Sequence, residues 1–256
     1  MFLLCLGMRR AASSTQYQIA RDILFLKQKG DDLGFVQESE AVHRAFQRYG
    51  RQGRAILKTH LCCDFFKEAD PARVRFVSTF RDMRDVVLSF MRGTGYTFER
   101  MMASGFLQRE LESFAQLKAL HPVLMQAYPD FTDNIPKIIR ELAGFLDVGL
   151  TPEQEAGLCR EHSLENQKRK IEAYSKTFKC RMIKAVNGVF LFLNPTQRAR
   201  GGLLTNRDTK NDLHVNHFAK TTTDWRTQLS EKQKDALKPV LSSWLIDNGF
   251  EYDDAW

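Results

Sequence analysis

The sequence has no apolar run near the roughly 20 residues that a bilayer-spanning helix needs, which excludes a helical membrane protein. Cysteine is scarce and unpatterned. Cys5, Cys62, Cys63, Cys159 and Cys180 are an odd set of five with no CxxC spacing, which argues against a disulfide framework and a zinc site and fits a reducing cytoplasm. Internal repeats and low-complexity tracts are missing. The basic-then-apolar order of a signal peptide is missing as well: apolar residues 1–6 precede Arg9 and Arg10, so they read as a short buried strand. What remains is ordinary for a globular chain. Of 256 residues, 43% are hydrophobic and 27% charged, which rules out large-scale disorder and makes one domain over residues 1–256 the default. Lys and Arg outnumber Asp and Glu by 38 to 31, and the net charge of +7 favours an anionic partner: nucleic acid, an acidic membrane or a polyphosphate ligand.

Periodicity divides the chain into alternating strands and helices. After the first strand comes a small, donor-rich turn at residues 9–15, then a helix with Ile19, Ala20, Ile23, Leu24 and Leu26 at helical spacing and Gly30 as its cap. Strands are predicted at 54–58, 74–79 and 122–126, and helices at 82–91, 98–120 and 135–146. Two helix starts carry capping signals, Thr151-Pro-Glu-Gln and Ser230-Glu-Lys-Gln. Pro239 should bend the last helix and Gly249 should end it. Residues 188–193 are a further strand candidate, and polar, basic residues 194–211 read as a mobile loop. Variable loops are expected at 33–50 and 98–106. This alternation predicts an α/β fold, with a mainly parallel central sheet flanked by helices.

Three segments sit where such a sheet binds ligands, at the C-terminal ends of its strands. The turn Gly7-Met-Arg-Arg-Ala-Ala-Ser-Ser-Thr15 opens a helix, so its amides and the helix dipole converge on one point suited to an anion. It is not a Walker A loop, because Ala12 stands where the second Gly belongs and Ser13 where the Lys belongs. Lys58-Thr59-His60 ends the second predicted strand, offering a general base beside a cation. Arg81-Asp-Met-Arg-Asp-Val-Val-Leu-Ser89 ends the third and opens a helix, with Arg81 and Ser89 both able to reach one phosphate.

In this order the three segments resemble the sulfotransferases that use 3′-phosphoadenosine 5′-phosphosulfate (PAPS). Gly7, Arg10, Ser13 and Ser14 match the first signature of that family, Lys58-Thr59-His60 its K-T-H, and residues 81–89 its R-D-x-R-D-V-x-x-S. Tyr128-Pro-Asp-Phe is similar to its Tyr-Glu-Asp segment, and Thr223-Asp-Trp-Arg226 to its Gly-Asp-Trp-Lys/Arg segment. The resemblance covers nearly the whole chain except 177–213. Three departures stand out: Ala11-Ala12 in place of Ser-Gly, Thr15 in place of an adenine-stacking Trp, and a stretch at 218–223 that keeps only Lys220 as a clear cation.

The resemblance implies a P-loop-NTPase-like sulfotransferase fold and transfer of a sulfonate from PAPS to a hydroxyl or amine of a small acceptor, leaving adenosine 3′,5′-bisphosphate (PAP). His60 would act as base, with Lys58 and Arg10 neutralising charge. Ala11, Ala12, Ser13, Ser14 and Thr15 would hold the 5′-phosphate, Arg81 and Ser89 the 3′-phosphate with Lys220 and Arg226 as helpers, and Tyr128 would contact the nucleotide. No metal is expected, and neither nucleic acid nor membrane as partner. A P-loop kinase shares the fold but needs the Lys-Ser/Thr pair that this loop lacks. The other alternative is a non-catalytic relative that binds nucleotide or nucleic acid.

Overall fold

In a computed structural model of the chain, the described residues are 1–60, 62–120, 122–177, 180–183, 185–187, 207–208, 213–214 and 224–256. Five strands, β1 (Phe2–Cys5), β2 (Asp31–Phe35), β3 (Ala55–Lys58), β4 (Val74–Phe80) and β5 (Val123–Ala127), form one parallel sheet in the order β2-β3-β1-β4-β5. The central strand β1 is apolar along its whole length and wholly buried, as a strand covered on both faces must be. Its alternate side chains enter different cores. Leu3 and Cys5 pack with Ile19 and Ile23 of α1 (Ser13–Leu24) and with Ile138, Ile139 and Leu142 of α7 (Ile135–Phe145). Phe2 and Leu4 pack with Val42 of α2 (Ser39–Tyr49), with Phe66 and with Leu117 of α5 (Phe106–Lys118). Each buried apolar side chain of this size contributes roughly 1.5–3 kcal/mol, so β1 is held from two sides at once.

The chain gathers into two compact units. Residues Met1–Arg81 and Glu112–Gln167 form the first, which contains the sheet and both cores. This unit also includes α6 (Tyr128–Asp133) and α8 (Pro152–His162), which begins at the expected Thr151 capping box. Residues Asp82–Leu111 and Lys168–Trp256 form the second. There α3 (Met83–Thr94) packs on α10 (Trp225–Gln228) and α11 (Glu231–Asp247), with α4 (Phe98–Ala103) alongside α3. The Ser230 box caps α11, Pro239 lies within it, and Leu237, Leu241 and Leu245 form its buried stripe. Helix α9 (Leu164–Ser175) completes the series.

Several expectations need correction. The helix expected over 98–120 is two, because Gly105 takes a φ of 66° between α4 and α5. Helix α1 stops at Leu24, so Gly30 is not its cap. A Cβ on Gly30 would lie 2.4 Å from the Phe25 ring and 2.7 Å from the Arg54 carbonyl, so the glycine serves a close backbone approach instead. Much of the loop expected over 33–50 is edge strand β2 and helix α2. The strand candidate at 188–193 lies outside the described residues. So does the loop at 194–211, apart from Arg207–Asp208, which pairs antiparallel with Leu213–His214.

Candidate active site

The turn between β1 and α1 first prolongs the sheet and then coils tightly. Leu6 and Met8 donate amides to the carbonyls of Val77 (2.8 Å) and Thr79 (3.0 Å), and Ala11 donates back to Met8 at 3.3 Å. Gly7 is required by crowding: a Cβ there would stand 2.4 Å from Ser13 Cβ and 2.6 Å from Thr79 Oγ1. Arg10 and Ala12 have φ of 69° and 65°, in the left-handed region that costs an L-residue about 1–2 kcal/mol. Among the described residues only Asp147 shares that conformation without being glycine, so the strain is concentrated at this turn. The first turn of α1 carries no acid and no side-chain cap. Its amides therefore present positive charge with no acidic side chain in that turn, a setting for an anion.

Strand β3 delivers Lys58 and, just beyond its end, His60. Lys58 is buried at its C-terminal end, and Nζ donates a hydrogen bond to Ser14 Oγ at the start of α1. Two residues on, His60 Nδ1 lies 2.7 Å from the carbonyl oxygen of Gly7. A carbonyl only accepts, so Nδ1 must carry the proton. In the neutral ring the lone pair then belongs to Nε2. The ring is steadied by Phe35 at the end of β2, edge-on at 5.3 Å between centroids, and Lys58 Nζ lies 5.4 Å over the same Phe35 ring. Burial pushes the Cys62 thiol up to about 11 and raises the Cys5 and Cys63 thiols as well, which keeps these neighbours neutral and poorly nucleophilic.

Arg81 follows β4. Its guanidinium stacks 4.0 Å over the Tyr128 ring and donates to the Arg10 carbonyl at 3.4 Å. The first unit thus gathers Arg10, Ala11, Ala12, Ser13, Ser14, Thr15, Lys58, His60, Arg81 and Tyr128 around the C-terminal ends of β1, β3, β4 and β5. Ser89, on α3, and Arg226, on α10 with its guanidinium 4.5 Å over Trp225, belong to the second unit. Lys220 lies outside the described residues. No group of three or more His, Cys, Asp or Glu able to hold a metal occurs among the described residues.

Sequence reasoning overlooked three contributors. The Gly7 carbonyl is a backbone group with no signature of its own. Phe35 lies on an unrecognised edge strand. Arg84, inside the Arg81–Ser89 motif, is fully buried between Trp225 (3.7 Å) and Trp256 (4.6 Å) and ion-paired to Asp82 (2.7 Å) and Glu251 (2.5 Å). Its signal was the second Arg-Asp pair of that motif, to which no role was given.

A search of curated proteins finds no match. Among solved structures, a mouse sulfotransferase, SULT7A1, complexed with PAP superposes with a TM-score of 0.60 at 12% identity, over 97% of this chain and 85% of the other. A retinol dehydratase in complex with retinol and PAP superposes at 0.57 with 16% identity, over 96% and 81%. A second structure of retinol dehydratase, with androsterone and inactive cofactor PAP, gives 0.57 and 16%, over 96% and 80%. These likenesses establish the fold. The sulfotransferase domain model matches residues 17–187, and with the parallel sheet beneath it this chain belongs to the sulfotransferase family.

Proposed function

We propose that this sulfotransferase takes its sulfonate from PAPS and passes it to a hydroxyl or amine of a small molecule, leaving PAP. The observation that carries this reading is the hydrogen bond from His60 Nδ1 to the Gly7 carbonyl, which leaves Nε2 as the basic nitrogen beside a buried lysine at an anion-binding turn. The donor set fits a nucleotide phosphate: Arg10, Lys58, three hydroxyls and the open amides of α1, with no acid in its first turn. PAP in the related structures supports the same choice. When bound, PAPS supplies an activated sulfonate on a 5′-phosphate leaving group.

The roles of the chain's own residues follow. His60 Nε2 accepts the proton of the acceptor as its oxygen or nitrogen attacks. Lys58 and Arg10 place positive charge where negative charge grows, and Ser13, Ser14 and Thr15 hold the 5′-phosphate on the turn shaped by Ala11 and Ala12. Arg81 and Ser89 hold the 3′-phosphate, with Lys220 and Arg226 adding positive charge, and Tyr128 braces Arg81 against the nucleotide. All five cysteines are free, which supports a reducing, cytoplasmic setting. No described helix is long and apolar enough to cross a membrane.

The test is transfer of labelled sulfonate from PAPS across phenols, alcohols, amines and sugars, in wild type and His60→Gln. Turnover in the variant should fall by about 10²–10⁴-fold while PAP affinity stays within about twofold. Unchanged turnover would overturn the reading.

A further inference from the structure

At the other end of the sheet lies a cavity of about 450 Å³, lined by His43, Phe46, Gln47, Gly50, Arg51, Phe65, Glu68, Asp70, Arg73 and Val74. Val74 opens β4 and Arg81 follows its end, so the cavity and the phosphate-binding turn are separated by the length of a strand, roughly 20 Å at about 3.3 Å per residue. The volume is within the ordinary range for small-molecule sites, about 300–1,000 Å³.

Its chemistry is specific. The floor is aromatic: Phe65 lies 4.6 Å from the His43 ring and 5.3 Å from Phe46, centroid to centroid. Gln47 holds the His43 ring through a 3.0 Å hydrogen bond one helical turn away. The rim carries two arginines and two carboxylates. Asp70 and Arg73 are paired at 3.5 Å, and Arg73 also donates to the Arg51 carbonyl. Arg51 and Glu68 have no ion-pair partner among the described residues. One cation and one anion without an ion-pair partner among the described residues therefore line the same cavity as a cluster of tilted rings.

This pattern excludes two classes of ligand. Two carboxylates balance the two arginines, so the lining offers a polyphosphate no net positive charge, and the cavity is not a second nucleotide site. A wholly apolar ligand would strip water from charged groups and return nothing. We propose that the cavity binds a small aromatic zwitterion of the free aromatic amino acid type, its ring against His43, Phe46 and Phe65, its carboxylate on Arg51 and its ammonium on Glu68. Aromatic stacking and charge-assisted hydrogen bonds then act together.

L-phenylalanine is the probe, titrated into the full chain with PAP present and followed by amide chemical shifts. Expected are saturable shifts at residues 42–51 and 62–74, with a Kd of about 1 mM or tighter. N-acetyl-L-phenylalanine, which lacks the ammonium, and L-phenylalaninamide, which lacks the carboxylate, should each bind at least about fivefold more weakly. Glu68→Gln should erase the discrimination against the first and Arg51→Gln that against the second; both residues are exposed, so the fold is preserved. Shifts that do not saturate, that centre elsewhere, or that ignore both charges would overturn the proposal. Because these amides are read directly, a failure here is distinct from a failure of PAP to bind.

Discussion

Two arginine-bearing turns of this protein are built on opposite principles. At residues 7–15 the backbone is strained at Arg10 and Ala12, beside the opening of a helix. At Arg84 the charge is paired within the chain, although Nη1 and Glu251 Oε1, 2.5 Å apart, form an ion pair without hydrogen-bond geometry. The guanidinium is enclosed by two indoles and two carboxylates, and Asp82 also caps α3 through the Arg84 amide at 2.9 Å. The amides that open α1 stand without an acid in their own turn, whereas the Arg84 charge is paired within the chain.

The contrast breaks most severely at Arg84. Arg84→Met would leave half-buried Asp82 and Glu251 without their fully buried cation and should cost about 3 kcal/mol, read as a lower urea midpoint. An unchanged midpoint would mean that the enclosure is ornamental. Gly7→Ala attacks the other turn through its crowding. A Cβ between Ser13 and Thr79 should destabilise by about 1–3 kcal/mol and loosen the carbonyl that holds His60, so turnover should fall along with stability. Loss of stability with full turnover would detach Gly7 from the base.

Relief of strain should work in the opposite direction. Ala12→Gly removes about 1–2 kcal/mol of left-handed strain but returns about 0.4–1 kcal/mol of unfolded-chain entropy. A net gain of about 0.5–1 kcal/mol should raise Tm by roughly 1–4 °C in a chain this size. The smallest effect concerns acid. Burial alone would raise the Asp22 carboxyl, but the 2.9 Å hydrogen bond with His162 and the adjacent Arg21 charge outweigh it and hold its pKa below the usual carboxylate value. A depressed pKa gives stability that is present at neutral pH and is lost as pH falls through the acid range, below about 4. Asp22→Asn should flatten that acid limb of the stability curve and leave the alkaline side alone.

Much of this was legible in the sequence wherever a side chain carries its own signal. Strand β1 reads as four consecutive apolar residues, and both capping boxes appear as expected. Lys58 and His60 stand out because their chemistry is explicit at a strand end. Edge strand β2, Asp-Asp-Leu-Gly-Phe, is half polar and lacks alternation because only one neighbour strand pairs with it. Helix α2 fully buries Val42 alone, too thin a stripe to announce a helix. What fixes the His60 tautomer is a glycine carbonyl, and peptide groups look alike in any sequence.

The enclosure of Arg84 also has a history in time. About 170 residues of chain separate Arg84 from Glu251, so at synthesis rates of about 5–20 residues per second helix α3 leaves the ribosome roughly 8–35 s before its second carboxylate exists. Throughout that interval Asp82 and water are the guanidinium's partners, and Glu251 is still to come. The β-sheet unit has all of its residues once Gln167 is made, so it can settle while the other is still chemically incomplete. Birth order, more than sequence proximity, dictates which half of this enzyme waits.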